Sequence, residues 1–279
     1  MPTLVERLLA AELTGAERRV GDLIARDLRT AAFGTVAEIA AQANTGGATV
    51  MRLATKLGFD GFRSMQDASR DELTRASRPA AVRARLDLAG PDPIERALEV
   101  EIANVQKSLA ALTPAGLRST VLLLLKARRV GVVSSDATMG VATDFTSQLS
   151  MVRADVSLET GAPAAITRST AWLGPKDVLV AFDIARYEVA LTEVVAHART
   201  RLVPVIAFTD SPIAAIAADA DHVLTVFTEG PGPFDSLVGM LAVANIVTAS
   251  ALTQRGAVAA DHLDRLEATW AELGTLDSE

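Results

Sequence analysis

The sequence predicts an α-helical helix-turn-helix domain followed by an α/β domain whose parallel sheet carries helices on both faces. Three observations point there. Residues 35–59 hold two short helical periods separated by a polar, glycine-containing turn. From residue 129 onward, short and uniformly apolar runs alternate with helical stretches, the pattern of a parallel sheet covered on both sides. At 279 residues and 49% apolar composition, the chain supplies cores for two domains.

In the first domain, residues 4–11 read as a short amphipathic helix. Thr14 and Glu17 form a capping box ahead of Val20, Leu23, Ile24 and Leu28 at helical spacing. A second capping box, Thr35 with Glu38, opens a helix that offers Val36, Ile39 and Ala40 to the core. Residues 44–47 break the apolar period, and Val50, Leu53, Ala54 and Leu57 restore it in the next helix, with Gly58 where a C-terminal cap belongs. Phe59 and Phe62 are aromatic anchors before a further helix through Met65 and Leu73.

The outer face of the second helix of this pair presents Thr49, Arg52 and Lys56, side chains that reach base edges and phosphates when a recognition helix lies in the major groove. Arg52 is expected to read a base or hold the backbone, as is Thr49. Lys56 is expected to meet phosphate, with Thr45 as a cap that also donates to phosphate. Spacing alone leaves open an ordinary helical hairpin whose Arg and Lys are simply solvated.

Residues 1–90 carry 13 Lys+Arg against 11 Asp+Glu, and the remainder 14 against 23, so the net charge of −7 divides into +2 and −9. A near-neutral, arginine-bearing first part on an acidic second part fits a DNA reader tethered to a different module. The predicted boundaries are 1–78 for the helical domain, 79–93 for a linker ending in Gly90-Pro91-Asp92-Pro93, and 94–279 for the α/β domain. The arginines at 75, 78, 83 and 85 are read as solvated, with phosphate contact as the alternative.

Beyond the linker, Ile94, Leu98, Ile102, Val105 and Leu109 mark one helix, and Thr113 with Pro114 opens another. Strands are expected at 129–134, 155–158, 177–182, 203–208 and 222–226, with helices at 138–149, 162–172, 190–199 and 213–217. In such sheets ligands bind beyond the carboxyl ends of the strands. That places Ser134, Ser135 and Thr138 in a first loop, Asp183, Arg186 and Tyr187 in a second, and Thr209 and Ser211 in a third as candidate ligand residues. Arg186 is suited to bidentate contact with a carboxylate or phosphate, or to an internal pair with Asp183, Asp136 or Glu188.

The absence of cysteine excludes disulfides and thiolate metal sites. The three histidines show no ligand spacing, so no metal and no cofactor is expected. No charged-then-apolar leader opens the chain, which predicts a cytoplasmic protein. The apolar run 237–252 is shorter than the roughly 20 residues a bilayer requires, so no membrane partner is expected and the run is read as a core or interface helix.

Taken whole, the chain resembles the RpiR family of bacterial transcriptional regulators, a helix-turn-helix domain joined to a sugar isomerase (SIS) domain. The resemblance is carried by residues 48–53 running into 56–62, and by 205–212 followed by 217–224. It implies a DNA-binding, metabolite-responsive repressor that acts on double-stranded DNA as a homodimer or homotetramer. It also implies a small effector, a phosphosugar or sugar acid, held by the SIS-type domain.

The departures concern the ligand loops. The family's Gly-x-Gly-x-Ser turn stands here as Ser134-Ser135-Asp136-Ala137-Thr138, and its Ser-x-Ser-Gly-x-Thr loop as Asp183-Ile184-Ala185-Arg186-Tyr187. Gly46 and Gly47 replace the polar residues or proline usual at the start of the recognition helix. Two other functions stay open from sequence. One is a sugar phosphate isomerase with Asp136, Asp183, Glu188 or His222 as base. The other is a module that only dimerises and organises DNA.

Overall fold

The computed structural model describes residues 4–26, 28–77, 92–212 and 214–275. The predicted linker arginines at 78, 83 and 85 lie outside the described residues, as do the side chain of Arg75 and most of the linker itself. Two compact units divide at residue 83.

The regular elements among the described residues of the first unit are all helices: α1 (Leu4–Ala10), α2 (Gly15–Arg26), α3 (Leu28–Phe33), α4 (Val36–Gln42), α5 (Gly47–Lys56) and α6 (Phe62–Ser77). Both predicted capping boxes form. The Thr35 amide donates to Glu38 Oε2 at 2.8 Å and the Glu38 amide donates to Thr35 Oγ1 at 3.2 Å. Thr14 and Glu17 repeat the exchange at 2.9 and 3.4 Å. Val20, Ile24, Leu28, Ile39, Val50, Leu53, Ala54, Leu57 and Met65 are buried together, while Leu23 and Val36 are only half-buried.

The turn between α4 and α5 has a specific chemistry. Asn44 adopts φ +49°, its amide donates to Ala41 O at 3.1 Å and the next amide, Thr45, donates to Ala40 O at 2.8 Å. This paired closure satisfies the last carbonyls of α4 and turns the chain. The same device ends α5, with Gly58 at φ +81°, its amide on Thr55 O and the Phe59 amide on Ala54 O. The expectation for Thr45 is corrected: the N-cap of α5 is Gly46, with no side-chain cap, and Thr45 Oγ1 is buried without a hydrogen-bond partner.

The second unit begins with α7 (Pro93–Ala111) and α8 (Pro114–Lys126), each opened by an Asp or Thr cap and a proline. There follow β1 (Val130–Ser134), a 3-10 turn (Asp136–Thr138), α9 (Met139–Val152), β2 (Val156–Leu158) and α10 (Pro163–Thr170). The chain continues through β3 (Val178–Asp183), α11 (Val189–Thr200), β4 (Val205–Thr209), α12 (Ala215–Ala218) and β5 (His222–Thr225). It closes with α13 (Val238–Arg255) and α14 (Ala257–Leu273), the last of which the sequence reading did not anticipate. Ile213, expected to start a helix, lies outside the described residues.

All strands pair in parallel in the order β2-β1-β3-β4-β5. Alternate residues of each strand serve opposite faces. Val178, Val180 and Phe182 pack with α8, α9 and α13, where Phe182 stacks on Phe208 at 4.3 Å and Phe145 completes the cluster. Leu179 and Ala181 face α11 and α12 on the other side.

One buried charge ties this unit together. Arg153 donates to four carbonyls and to no carboxylate: Leu124 O at 2.6 Å, Ala127 O and Ala154 O at 2.8 Å, and Arg128 O at 2.9 Å. These lie at the end of α8 and in the loop after α9, where carbonyl dipoles lack intrahelical partners.

The apolar period of α7 locates the helix but not its packed face. Ile94, Leu98, Ile102 and Leu109 are 80, 62, 47 and 40% exposed, whereas Asn104 and Ser108 are buried. Asn104 Nδ2 donates to Glu229 O at 2.7 Å, and Ser108 Oγ accepts the Phe227 amide at 2.8 Å. The approach is close: a Cβ on Gly239 of α13 would stand 2.5 Å from Ser108 Oγ and 2.6 Å from Phe227 O. Small polar residues are therefore what this helix contact accepts.

The 237–252 run lies in α13, whose Met240, Val243, Ala244, Val247 and Ala251 are buried while Leu241, Ile246 and Leu252 remain exposed. No single described helix is long and apolar enough to cross a membrane.

Candidate functional site

In the first unit, burial of Val50, Leu53, Ala54 and Leu57 turns the opposite side of α5 outward. Ala48, Met51, Arg52, Thr55 and Lys56 are exposed there. Arg52 Nη2 donates to Thr49 Oγ1 at 3.2 Å, and Thr49 itself is buried, so it steadies Arg52 rather than standing on the outer face beside it. Lys56 Nζ meets Glu17 Oε2 at 2.9 Å. That contact, with the Thr14 cap, holds the Glu17 carboxyl down to about 2. Arg52 thus presents its charge outward from α5, and Lys56 is tethered to α2.

Met51 and Thr55 were missed by the sequence reading, which selected α5 residues by polarity and charge. The signal was present in the spacing, since 48, 51, 52, 55 and 56 are the complement of the buried period.

In the second unit the strand order reverses between β1 and β3, so the crevice beyond their carboxyl ends is where a ligand binds in this topology. Ser134 and Ser135 close β1, Asp183 ends β3 and Thr209 ends β4. All four are buried, together with Thr138. Ser135 Oγ and Thr138 Oγ1 lie 2.9 Å apart, and Thr138 Oγ1 also donates to Phe182 O at 2.8 Å. Ser134 Oγ turns to Met139 Sδ at 3.5 Å.

Two carboxylates pin the segment 184–188. Asp183 accepts the Ile184 amide at 3.0 Å and the Glu188 amide at 3.1 Å. Asp210 accepts the Ala185 amide at 3.0 Å and the Tyr187 hydroxyl at 2.8 Å. Burial pushes the Asp183 carboxyl up to about 6 against the hydrogen bonds that oppose it, and it raises Asp210 as well. The Tyr187 hydroxyl is likewise raised, first by burial and then by the charge of Asp210.

Between these clamps stands Arg186, exposed, at φ +71°. It forms none of the internal pairs considered from sequence: Asp183 is engaged by amides, and Glu188 Oε1 accepts the Asp136 amide at 2.8 Å. Ser211 is half-buried beside Asp210. His222 begins β5, at the other end of the sheet, and lines a separate cavity of about 210 Å³ with Thr120 and Val243.

The description "Helix-turn-helix domain, rpiR family" matches residues 7–75, and "SIS domain" matches residues 123–250, between them most of the chain. The chain belongs to the RpiR family. The sugar isomerase domain of an RpiR transcription factor from Sphaerobacter thermophilus is 27% identical, with a TM-score of 0.60 over 62% of this chain and 96% of that one. The Vibrio vulnificus NanR protein, complexed with ManNAc-6P, aligns over 97% of this chain and 99% of its own at 18% identity and TM-score 0.59, a likeness of fold. No curated protein matches the chain at a significant level. As an RpiR-family protein it pairs a DNA-binding, transcription-regulating helix-turn-helix domain with a SIS domain of the kind that binds carbohydrate derivatives.

Proposed function

We propose that this RpiR-family protein is a cytoplasmic, metabolite-responsive repressor. On this reading it binds operator DNA through α5 and senses a small anionic carbohydrate derivative, a sugar phosphate or sugar acid, beyond the carboxyl ends of β1, β3 and β4. The observation that carries it is the pairing, in one chain, of a helix α5 that exposes Arg52 with a sheet whose loop holds Arg186 outward. Arg52 contacts a base, Thr49 orients it, and Lys56 meets phosphate on release from Glu17, while Thr45, with its hydroxyl buried, takes no part. Arg186 anchors the effector, with Tyr187 and Asp183 fixing its loop and Ser134, Ser135, Thr138, Thr209 and Ser211 forming the floor.

Residues 1–78 act as the DNA reader, 79–93 as linker and 94–279 as the sensing and assembly domain. Assembly is as a homodimer or homotetramer, and the exposed stripe of α7 supports it, since four large aliphatic side chains in one row are costly to leave in water. Regulation rather than catalysis is favoured by the DNA reader and by Asp183, whose oxygens are occupied by amides rather than aimed at a substrate.

The test is selection of genomic fragments by the purified protein, followed by competition binding at fixed salt with sugar phosphates, sugar acids and free sugars. A specific site whose occupancy falls with one compound supports the reading. Specific binding indifferent to every compound would leave a DNA-organising protein, and a lack of specific binding would reject the regulator.

A further inference from the structure

The chemistry at the carboxyl end of the sheet is lopsided. The loops that leave the five strands there, residues 134–138, 159–162, 183–188, 209–214 and 226–237, contain the acids Asp136, Glu159, Asp183, Glu188, Asp210, Glu229 and Asp235, and a single Lys or Arg, Arg186. A phosphate ester needs several converging donors to replace its hydration. Here the hydroxyls that end β1 and β4 are engaged within the protein. The Ser135 and Thr138 hydroxyls bond each other and Phe182 O, Ser134 faces a thioether, and Thr209 Oγ1 lies 3.5 Å from Asp210 Oδ1. The Asp136 amide at the start of the turn before α9 already holds an anion, the Glu188 carboxylate.

The one positive charge on offer is a planar guanidinium on a loop pinned by Asp183 and Asp210, with the exposed residues Glu188 and Asp136 in the same loops. A guanidinium fork is saturated by one carboxylate, whereas a phosphate dianion brings a second charge that the surrounding acids oppose. Sugar hydroxyls, for their part, are the donors that carboxylate oxygens accept.

We infer that the effector of this site is a sugar acid, a polyhydroxylated monocarboxylate held by Arg186, and that Glu188 is the residue that excludes phosphosugars. The inference rests on the effector-binding role proposed above and specifies its ligand class.

The test is calorimetric titration of the full-length protein with matched pairs, the aldonates of glucose, galactose and mannose against the 6-phosphates of the same sugars. It is run at constant ionic strength, with the free sugars as controls. At least one aldonate is expected to bind tenfold or more tightly than its phosphate partner, to lose tenfold or more in Arg186→Gln, and to lose that preference in Glu188→Gln as the phosphate gains. Both variants are checked for native circular dichroism and melting. Tighter binding of a phosphosugar by the wild type overturns the inference and leaves the sensing role intact. Aldonate binding unchanged in Arg186→Gln also overturns it. Silence of both series overturns the inference together with the sensing role.

Discussion

The Tyr187 hydroxyl donates to Asp210 Oδ1 at 2.8 Å, joining the loop after β3 to the end of β4. Both partners are half-buried, and the second oxygen of Asp210 is held by the Ala185 amide. In Tyr187→Phe, Asp210 loses one of its partners while staying half-buried. The expected cost is about 1–3 kcal/mol, read as a lower urea midpoint with an unchanged m-value.

Asp177 and Arg128 form a two-point pair at 2.9 and 2.7 Å, and the guanidinium holds the Asp177 carboxyl down to about 2 from its ordinary 3.8. A depressed carboxyl lends stability that is fully present above its unfolded value and is lost as the pH falls toward 2. Glu17, lowered from 4.5 to about 2, behaves the same way in the first unit. Melting temperature is therefore expected to drop between pH 4.5 and 2, and Asp177→Asn to flatten that slope. An unaltered slope in the variant would show that the pair is not its source.

Asp183 titrates with the opposite sign. Its folded value of about 6 lies above the ordinary 3.8, so the folded protein holds an extra proton between those limits and stability declines as pH rises through that window. Carbon-13 NMR of the labelled carboxyl is expected to show a midpoint near 6, absent in Asp183→Asn. Anionic effectors are expected to bind more tightly below that midpoint than above it.

Arg52→Ala is expected to weaken operator binding by roughly 1–3 kcal/mol and to relax preference at one base position. Lys56→Ala is expected to act uniformly across sequences and to reduce the salt slope by about one. Because Lys56 also pairs with Glu17, its removal costs the first unit some stability, whereas Arg52→Ala leaves melting unchanged. Competition binding over a randomised site distinguishes the two.

Replacing Ile94 and Leu98 by Asp adds charge to the exposed row on α7 without touching the buried Asn104 and Ser108. Light scattering is expected to show a smaller species with an unchanged circular dichroism spectrum. An unchanged mass would place the assembly contact elsewhere.

What the sequence discloses is what neighbours along the chain decide. The Thr35–Glu38 and Thr14–Glu17 boxes, Gly58 after α5 and the uniformly apolar run of β3 are all settled within a few residues, and they appear as read. The packed side of α7 is different in kind. It is set by Glu229 and Phe227, more than a hundred residues away, so the apolar row marks the helix without telling which side packs. Thr49 was misplaced for a similar reason, since its burial depends on the neighbours of α5 and not on its spacing from Arg52. The loop after β3 gave its residues but not their division of labour: buried Asp183 and half-buried Asp210 hold the backbone, and Arg186 is left over.

Arg153 sets a limit on how the second unit fails. Its charge is balanced by peptide carbonyls, which neither titrate nor exchange with dissolved ions. Acid that protonates Asp177, or salt that screens the Arg199–Asp221 pair, leaves this junction as it was. The corner where α8, β1 and α9 meet is therefore held by contacts that neither titrate nor depend on dissolved ions, and that do not draw on the loops at the carboxyl end of the sheet.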